Sequence, residues 1–169
     1  MVVIINGSVG CGKTSVSWAL QRKFDKAVML DGDYIGAVHP FAIYDEARIT
    51  YLYDTMEHLV AFHRAHGYNN FVINYVFESA ASLEALKGRF EKTGMDVRCY
   101  WLTCSEGEQQ KRIHTRATRQ LAWELNRFFE LNAIQEAAAQ AGFIGKRINT
   151  DGRNIEEVTS IIWKDMERT

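Results

Sequence analysis

The sequence predicts an α/β protein in which helices cover both faces of a parallel sheet. Five short runs of apolar and β-branched residues, typical of buried strands, alternate along the chain with longer segments of helical periodicity. A glycine-rich loop separates the first of these runs from the first helical segment. Strands that alternate with helices build β-α-β units, and the strands of such units are parallel.

Each element is predicted from its own pattern. The first strand is apolar throughout, as expected for a parallel strand that is buried on both faces. The fourth, DVRCYWLT, is rich in aromatic and β-branched residues. Strands are predicted at 2–5, 27–30, 70–75, 96–103 and 146–150. Helices are predicted from about Gly12 onward and over 44–66, 79–91, 106–118, 121–140 and 155–167.

The composition is that of an ordinary globular chain and predicts one domain over residues 1–169. The formal net charge is −1, so no overall field attracts nucleic acid or an anionic membrane. No apolar run approaches the roughly 20 residues of a membrane span. We therefore expect no nucleic-acid or membrane partner. The three cysteines form no CxxC pair, which favours a reducing, cytoplasmic location.

The loop between the first strand and the first helix, GSVGCGKT, matches the pattern G-x-x-x-x-G-K-[ST]. Its glycines let backbone N–H groups surround a phosphate chain, and the helix N-terminus adds a positive dipole end. Lys13 is expected to contact the β- and γ-phosphates of ATP, and Thr14 to bind Mg²⁺. The nucleotide-binding residues predicted here are Gly7, Ser8, Val9, Gly10, Cys11, Gly12, Lys13, Thr14 and Ser15.

Cys11 lies inside this loop, beside Lys13 and a helix N-terminus. Such surroundings lower the pKa of a thiol. We predict that alkylation of Cys11 blocks nucleotide binding. The alternative is that Cys11 is simply a small residue that the loop tolerates.

Two carboxylates follow the second predicted strand, where the ligands of a parallel sheet bind. Asp33 is the candidate base for an acceptor hydroxyl, and Asp31 is the candidate group for Mg²⁺ beside Thr14. The two roles could be reversed. The alternative is a surface turn, because Asp-Gly is a common turn pair.

The predicted helix 106–118 and the residue just beyond it carry a cluster of four cations, Lys111, Arg112, Arg116 and Arg119. Arg112, Arg116 and Arg119 are spaced i, i+4, i+7 and share one helix face with no acid between them. Arginine can stack on adenine and can also bind phosphate through two N–H groups. The alternative is a solvated basic face that pairs with Glu106 and Glu108 one turn earlier.

With these motifs the chain resembles the P-loop small-molecule kinases, in particular shikimate, gluconate and nucleoside-monophosphate kinases. The loop has the additional glycine of the kinase type, and LDGD at 30–33 resembles a gluconate kinase motif. LTCSE at 102–106, followed by Arg112 and Arg116, resembles the strand and helix that lead into the lid. INTDG at 148–152 resembles the segment near the adenine.

The resemblance implies a three-layer P-loop NTPase fold, with a five-stranded parallel sheet of order 2-3-1-4-5 and a short lid at about 112–125. It implies that ATP and Mg²⁺ are bound, with Arg112 stacked on adenine and Arg116 on the phosphates. Catalysis is assigned by position to Lys13, Asp33, Arg116 and Arg119.

The sequence departs from this group at two places. The third strand ends in Asn74, where many P-loop enzymes have a carboxylate for Mg²⁺, so Asp31 is expected to serve instead. The glycine triplet of shikimate kinases is absent after that strand, which argues against shikimate as the acceptor.

Residues 34–66 correspond to the acceptor-binding region of the group. They are rich in aromatic residues and histidine and include Arg48, which suits a ring-bearing acceptor. The alternative is that these aromatic residues pack the helix against the sheet.

The sequence thus predicts an ATP-dependent kinase, a monomer or homodimer, that phosphorylates a hydroxyl or phosphate of a small acceptor. The alternative is a P-loop ATPase or nucleotide-binding regulatory protein without such an acceptor. The guanine signature Asn-Lys-x-Asp is absent. A third alternative, made conceivable by Asn74, is an ATP-binding protein that has lost catalysis.

Overall fold

The computed structural model describes residues 1–116 and 120–168, and these contain five strands and seven helices. The strands are β1 (Val2–Gly7), β2 (Ala27–Asp31), β3 (Asn70–Asn74), β4 (Val97–Thr103) and β5 (Lys146–Asn149). The helices are α1 (Lys13–Gln21), α2 (Gly32–Ile35), α3 (Glu46–Ala65), α4 (Ala80–Glu91), α5 (Glu106–Arg116), α6 (Leu121–Ala141) and α7 (Ile155–Glu167).

The strands form one parallel sheet of order β2-β3-β1-β4-β5. This confirms the predicted α/β class and the predicted strand order. The central strand β1 pairs with β3 on one side and with β4 on the other. The carboxyl end of β1, which leads into the glycine loop, therefore lies in the middle of the sheet edge.

The side chains of β1 alternate between two apolar cores. Val2 and Ile4 belong to the core that α3 and α4 cover with Leu52, Met56, Leu83, Leu86 and Phe90. Val3 and Ile5 belong to the opposite core, which α1 and α7 cover with Val16, Leu20, Val158 and Ile162. Because both faces are covered, β1 has no solvent-exposed side, and its residues 2–5 form an uninterrupted apolar run.

The short helix α2 was not predicted from the sequence. Asp31 ends β2 and caps α2, its Oδ1 accepting a hydrogen bond of 2.9 Å from the backbone N–H of Asp33. The Asp-Gly-Asp segment is therefore a strand-to-helix junction rather than an open surface turn. Asp31 and Asp33 therefore both lie at the carboxyl edge of the sheet.

A buried polar cluster fixes α6 to the base of the glycine loop. Gln135 Nε2 donates to Asn6 Oδ1 at 2.9 Å, and Gln135 Oε1 accepts from the indole N–H of Trp101 at 3.1 Å. Asn6 Oδ1 also accepts from the backbone N–H groups of Gly7 (2.7 Å) and Phe77 (2.9 Å). The loop base, the segment after β3, β4 and α6 are thereby fixed to one another.

Among the helices of residues 1–116 and 120–168, none has the combined length and apolar character needed to cross a bilayer.

Candidate active site

The glycine loop adopts a conformation that only glycine permits at two points. Gly12, the residue before α1, has φ 93°, in the left-handed region that L side chains rarely adopt. Gly7 passes so close to β4 that a Cβ there would lie 2.7 Å from the carbonyl oxygen of Leu102. The loop therefore packs directly on β4 and turns into α1 at Lys13.

Lys13 is folded back over the loop. Its side chain is largely buried, and its Nζ donates to the carbonyl oxygen of Ser8 at 3.2 Å. No described carboxylate forms an ion pair with Lys13. Its only hydrogen-bond partner in the described structure is a carbonyl group. An incoming anion would therefore strongly stabilise the buried ammonium, as required of a residue that binds phosphate.

The structure brings Thr14 and Asp31 together. Thr14 Oγ1 donates to Asp31 Oδ2 at 3.4 Å, across the gap between α1 and β2. A hydroxyl beside a carboxylate is a pair of hard oxygen ligands, the type that Mg²⁺ prefers. Mg²⁺ in phosphate sites usually takes only one or two protein ligands, and phosphate oxygens and water complete its coordination. Thr14 and Asp31 could supply those protein ligands.

Asn74 lies next to this pair and is fully buried. It is the register partner of Asp31 across the β2–β3 ladder, and neither polar atom of its amide has a hydrogen-bond partner in the described structure. A buried, unpaired amide is destabilising by about 1–3 kcal/mol. The position therefore suits a group that becomes hydrogen-bonded when phosphate, metal and water fill the site.

We predict that Asn74→Leu leaves the melting temperature unchanged or higher and raises the Mg²⁺ concentration for half-maximal activity about tenfold. Leucine has the same number of side-chain heavy atoms with the same branching and removes the unpaired amide, but it cannot hydrogen-bond a ligand of the metal. Thermal unfolding and a Mg²⁺ titration of activity measure the two effects. The matched control is Asn70→Leu at the other end of β3, which should leave the Mg²⁺ requirement unchanged. A wild-type Mg²⁺ requirement in Asn74→Leu would show that Asn74 is not part of the metal site.

Asp33 faces the same cleft beyond Lys13. The surrounding cleft wall desolvates its carboxyl, and this is the largest cause of a pKa raised above the ordinary value. The nearby Asp31 raises the pKa further, whereas Lys13 and Arg48 lower it. A carboxylate with a raised pKa is a better proton acceptor than a free one, as required of a general base.

The predicted arginine face has mixed surroundings. Arg112 donates to Glu108 at 2.8 Å and to the Thr150 hydroxyl and carbonyl at 2.9 and 3.0 Å. Arg116 is half-exposed and pairs with Glu124 at 2.6 Å. Both arginines line the cleft. Of the two acidic partners that the alternative interpretation named, Glu108 pairs with Arg112, whereas the partner of Arg116 is Glu124 on α6. Arg119 lies outside the described residues.

These side chains surround one cleft of about 1620 Å³. A site for one drug-sized ligand is typically about 300–1,000 Å³, so this cleft has room for two ligands. One half, the nucleotide half, is lined by the loop residues 9–16 with Arg112, Thr150, Asn154 and Ile155. The other, the acceptor half, is lined by Asp33, His39, Phe41, Arg48, Tyr75, Glu78, Trp123 and Arg127. Gly7 and Ser8, the first two residues of the loop, are not among the residues that line the cleft.

The predicted acceptor region contributes to the cleft over only part of its length. Arg48 donates to the carbonyl oxygens of Ala42 and Ile43, each at 2.9 Å, and its guanidinium lies 4.7 Å from the ring centroid of Phe41. It thereby holds the loop before α3 in place. Tyr53, further along α3, packs in the apolar core, as the alternative interpretation expected.

Sequence reasoning missed the pair formed by Glu78 and Arg127. The Arg127 side chain is 8% exposed, forms ion pairs with Glu78 and Glu130, and donates to the Tyr44 hydroxyl at 3.3 Å. Glu78 follows β3 at the carboxyl edge of the sheet, so its position was a usable signal. Arg127 lies within the long helix α6, and no local sequence pattern distinguishes it from a surface arginine.

Cys11 is buried beside Cys104 at the end of β4. The thiol of Cys104 donates a hydrogen bond to Cys11, and this is the largest cause that lowers the pKa of Cys11, with Lys13 also lowering it against the effect of burial. The same interaction, together with burial, raises the pKa of Cys104. Cys11 is therefore the more acidic thiol of the pair.

We predict that Cys104→Ala slows alkylation of Cys11 by iodoacetamide severalfold near neutral pH. Loss of the hydrogen bond raises the pKa of Cys11 and lowers its reactive thiolate fraction. Mass spectrometry of the labelled peptide gives the rate, and ATP binding before and after labelling tests whether the modified loop still binds nucleotide. Cys99→Ala, elsewhere on β4, is the control. An unchanged labelling rate in Cys104→Ala would contradict the assignment.

The parallel sheet of order β2-β3-β1-β4-β5 and the glycine loop give the chain the fold of the P-loop small-molecule kinases, as the sequence motifs predicted. The chain belongs to the Zeta toxin family, whose family model matches residues 1–168. No curated protein matches the sequence.

Solved structures similar to the chain include the following three proteins. A tunicamycin resistance protein from Deinococcus radiodurans is 16% identical with a TM-score of 0.67, over 98% of this chain and 94% of that protein. An APS kinase from Mycobacterium tuberculosis, in complex with AMPPNP and APS, is 17% identical with a TM-score of 0.65 over 98% and 96%. A gluconokinase from Sinorhizobium meliloti is 13% identical with a TM-score of 0.67 over 99% and 91%. At identities this low, the structural similarity shows a shared fold and no more.

Proposed function

We propose that the protein is an ATP-dependent kinase that transfers the γ-phosphate to a hydroxyl group of a small acceptor. The observation that carries this proposal is the placement of Asp33, which faces the same cleft as Lys13 and has a raised pKa. A kinase needs a second half of the cleft for its acceptor, with a carboxylate beside the phosphate site. An ATPase needs no such acceptor half.

The residues around the phosphates have separate roles. Lys13 neutralises charge on the β- and γ-phosphates, while the loop N–H groups and the N-terminus of α1 hold the phosphate chain. Thr14 and Asp31 would hold Mg²⁺, which supplies neutralisation of charge on the transferring group. Asp33 accepts the proton of the acceptor hydroxyl.

The nucleotide half offers a surface for the base of ATP. Arg112 is held by Glu108 and Thr150 against the segment after β5. We assign its guanidinium plane to the adenine, opposite the apolar side chains of Ile155 and Val158 in the same cleft. Arg116, whose partner Glu124 is on the adjacent helix, is assigned to the phosphates.

The test is ADP formation from Mg²⁺-ATP with and without pooled acceptors: nucleosides and monophosphates, sugars and sugar acids, and hydroxylated antibiotics. Acceptor-stimulated ADP together with a phosphorylated product supports the kinase. ADP formed equally with every pool and with none overturns it in favour of an ATPase or regulatory protein. ATP binding without turnover, repeated with Asn74→Asp, separates a degenerate site from an untested acceptor, because a restored carboxylate should return ATP hydrolysis to a degenerate site.

A further inference from the structure

We propose that Gln109 is a positioning residue of the phosphate site. It binds the carbonyl group of Val9 on one side of the glycine loop and thereby turns the N–H of Gly10 to the other side, toward the phosphate chain. This inference rests on the nucleotide site of the proposed kinase and deepens the account of that site, but it requires no knowledge of the acceptor.

Gln109 lies on α5 and is fully buried. Its Nε2 donates to the carbonyl oxygen of Val9 at 2.8 Å, and the sulfur of Cys11 lies within reach of the same nitrogen at 3.4 Å. Val9, Gly10 and Cys11 line the cleft, whereas Gln109 is not among the lining residues. The amide of Gln109 therefore contacts the loop from the protein interior.

The peptide group between Val9 and Gly10 converts this contact into an orientation. The only cis peptide bond among the described residues precedes Pro40, so this peptide is trans, and its C=O and N–H point in opposite directions. The N–H of Gly10 therefore points away from Gln109. No acceptor for it is found within residues 1–116 and 120–168. An unpaired backbone N–H in a phosphate-binding loop is available to the anion.

Asn132 on α6 determines which way the Gln109 amide faces. Asn132 Nδ2 donates to Gln109 Oε1 at 2.7 Å, and Asn132 Oδ1 accepts from Gln109 Nε2 at 3.3 Å. A rotation of the Gln109 amide by half a turn would place its oxygen against the Val9 carbonyl oxygen and its NH₂ group against that of Asn132. The donor of Gln109 is therefore held toward the loop.

Gly10 allows α5 to approach the loop closely. A Cβ at this position would lie 3.1 Å from Cγ1 of Ile113, a fully buried residue one turn after Gln109. The same helix carries Arg112 and Arg116. The contact between Gln109 and Val9 therefore also fixes the loop relative to the two arginines assigned to ATP.

The first experiment follows the amide proton of Gly10 by NMR in isotope-labelled protein. Saturation with Mg²⁺-AMPPNP should shift this proton downfield in wild type, because its N–H then donates to a phosphate oxygen. Gln109→Met keeps an unbranched side chain but has no donor, so the shift at saturation should be much smaller. Gly67, which has a similar φ of 85° but lies between α3 and β3, is the control and should not shift in either protein.

The second measurement is the affinity for Mg²⁺-AMPPNP by isothermal titration. We expect Gln109→Met to bind about tenfold more weakly, the effect of losing one hydrogen bond to a charged group. Gln21→Met is the matched control, because it removes an amide that donates to the carbonyl oxygen of Ala27 at 3.1 Å, and it should bind like wild type.

A further variant covers the case in which Gln109→Met does not fold. Gln109→Met combined with Asn132→Leu removes both side-chain amides, and loss of both partners of a hydrogen bond destabilises a protein less than loss of one. The double variant should show the same reduced Gly10 shift and the same weaker binding of AMPPNP.

The outcomes separate this inference from the proposed function. A purely structural role of Gln109 would lower the melting temperature of the variants but leave the Gly10 shift and the AMPPNP affinity as in wild type, which would overturn the inference alone. Absence of the Gly10 shift in wild type saturated with AMPPNP would do the same. Wild-type protein that does not bind AMPPNP would overturn the proposed kinase function and this inference with it.

Discussion

Asp33→Asn is expected to lower kcat for acceptor phosphorylation about 10²- to 10⁴-fold, the range attributed to general acid–base catalysis. Asparagine keeps the size and the hydrogen-bonding backbone of the α2 cap but cannot accept the hydroxyl proton. ATP affinity should stay near that of wild type, because the residue faces the acceptor. Steady-state kinetics and isothermal titration with AMPPNP measure the two quantities.

Loss of stability should not explain that loss of activity. The pKa of Asp33 is raised in the folded protein, so the ionised carboxylate destabilises the folded state at pH values above that pKa. Removing the charge should therefore leave the melting temperature at neutral pH equal or higher. Asp25→Asn, at an exposed carboxylate between α1 and β2, is the matched control and should keep full activity.

The pH profile gives an independent signature. With a raised Asp33 pKa, the acid limb of kcat/KM should lie above the 3.8 of an ordinary aspartate, and activity should fall as pH drops through it. The residual activity of Asp33→Asn should lack this limb. An unchanged limb in the variant would assign the base to another group, with Asp31 the next candidate.

Lys13→Met is expected to lower kcat about 10²- to 10³-fold and to weaken ATP binding about 10- to 100-fold. The ammonium is buried and forms no ion pair within residues 1–116 and 120–168, so in the nucleotide-free protein its positive charge does not stabilise the fold. Methionine fills similar space without that charge. Single-turnover kinetics and AMPPNP titration separate the effect on transfer from the effect on binding.

The controls for Lys13 test position as well as charge. Lys13→Arg keeps the charge but brings a larger planar group into a loop that packs on β4, and it should not restore activity. Lys23→Met removes a half-exposed lysine that pairs weakly with Glu156 on α7 and should have little effect. Wild-type ATP affinity in Lys13→Met would contradict the assignment of this loop to the phosphates.

The sheet and the phosphate loop could be predicted because their signals are local. Buried parallel strands are short apolar runs, and the loop needs glycine at positions such as Gly12. Both features can therefore be recognised from a few consecutive residues. The strand order came from the resemblance to a family, since nothing local in the letters determines which strands pair.

The remainder of the candidate site depends on contacts between distant segments. Glu78 and Arg127 meet across 49 positions of sequence, and Arg112 meets Thr150 across 38. Such pairs have no local pattern, because each residue alone resembles an ordinary surface charge. The helix α2 was missed for a related reason: Asp31 ends a strand and caps a helix at once, and Asp-Gly-Asp is equally compatible with a turn.

The buried cluster around Asn6 determines where this molecule can move. Its Oδ1 atom accepts hydrogen bonds from Gly7, Phe77 and Gln135. Opening any one of these segments would leave buried polar groups of the others without hydrogen-bond partners. The amide protons of Gly7 and Phe77 should therefore exchange with deuterium only through global unfolding. Because the base of the loop is held in this way, adjustment to different ligands is confined to the outer parts of the cleft. Under the proposed kinase function, substitutions in the acceptor half could change the acceptor while the phosphate site stayed in place.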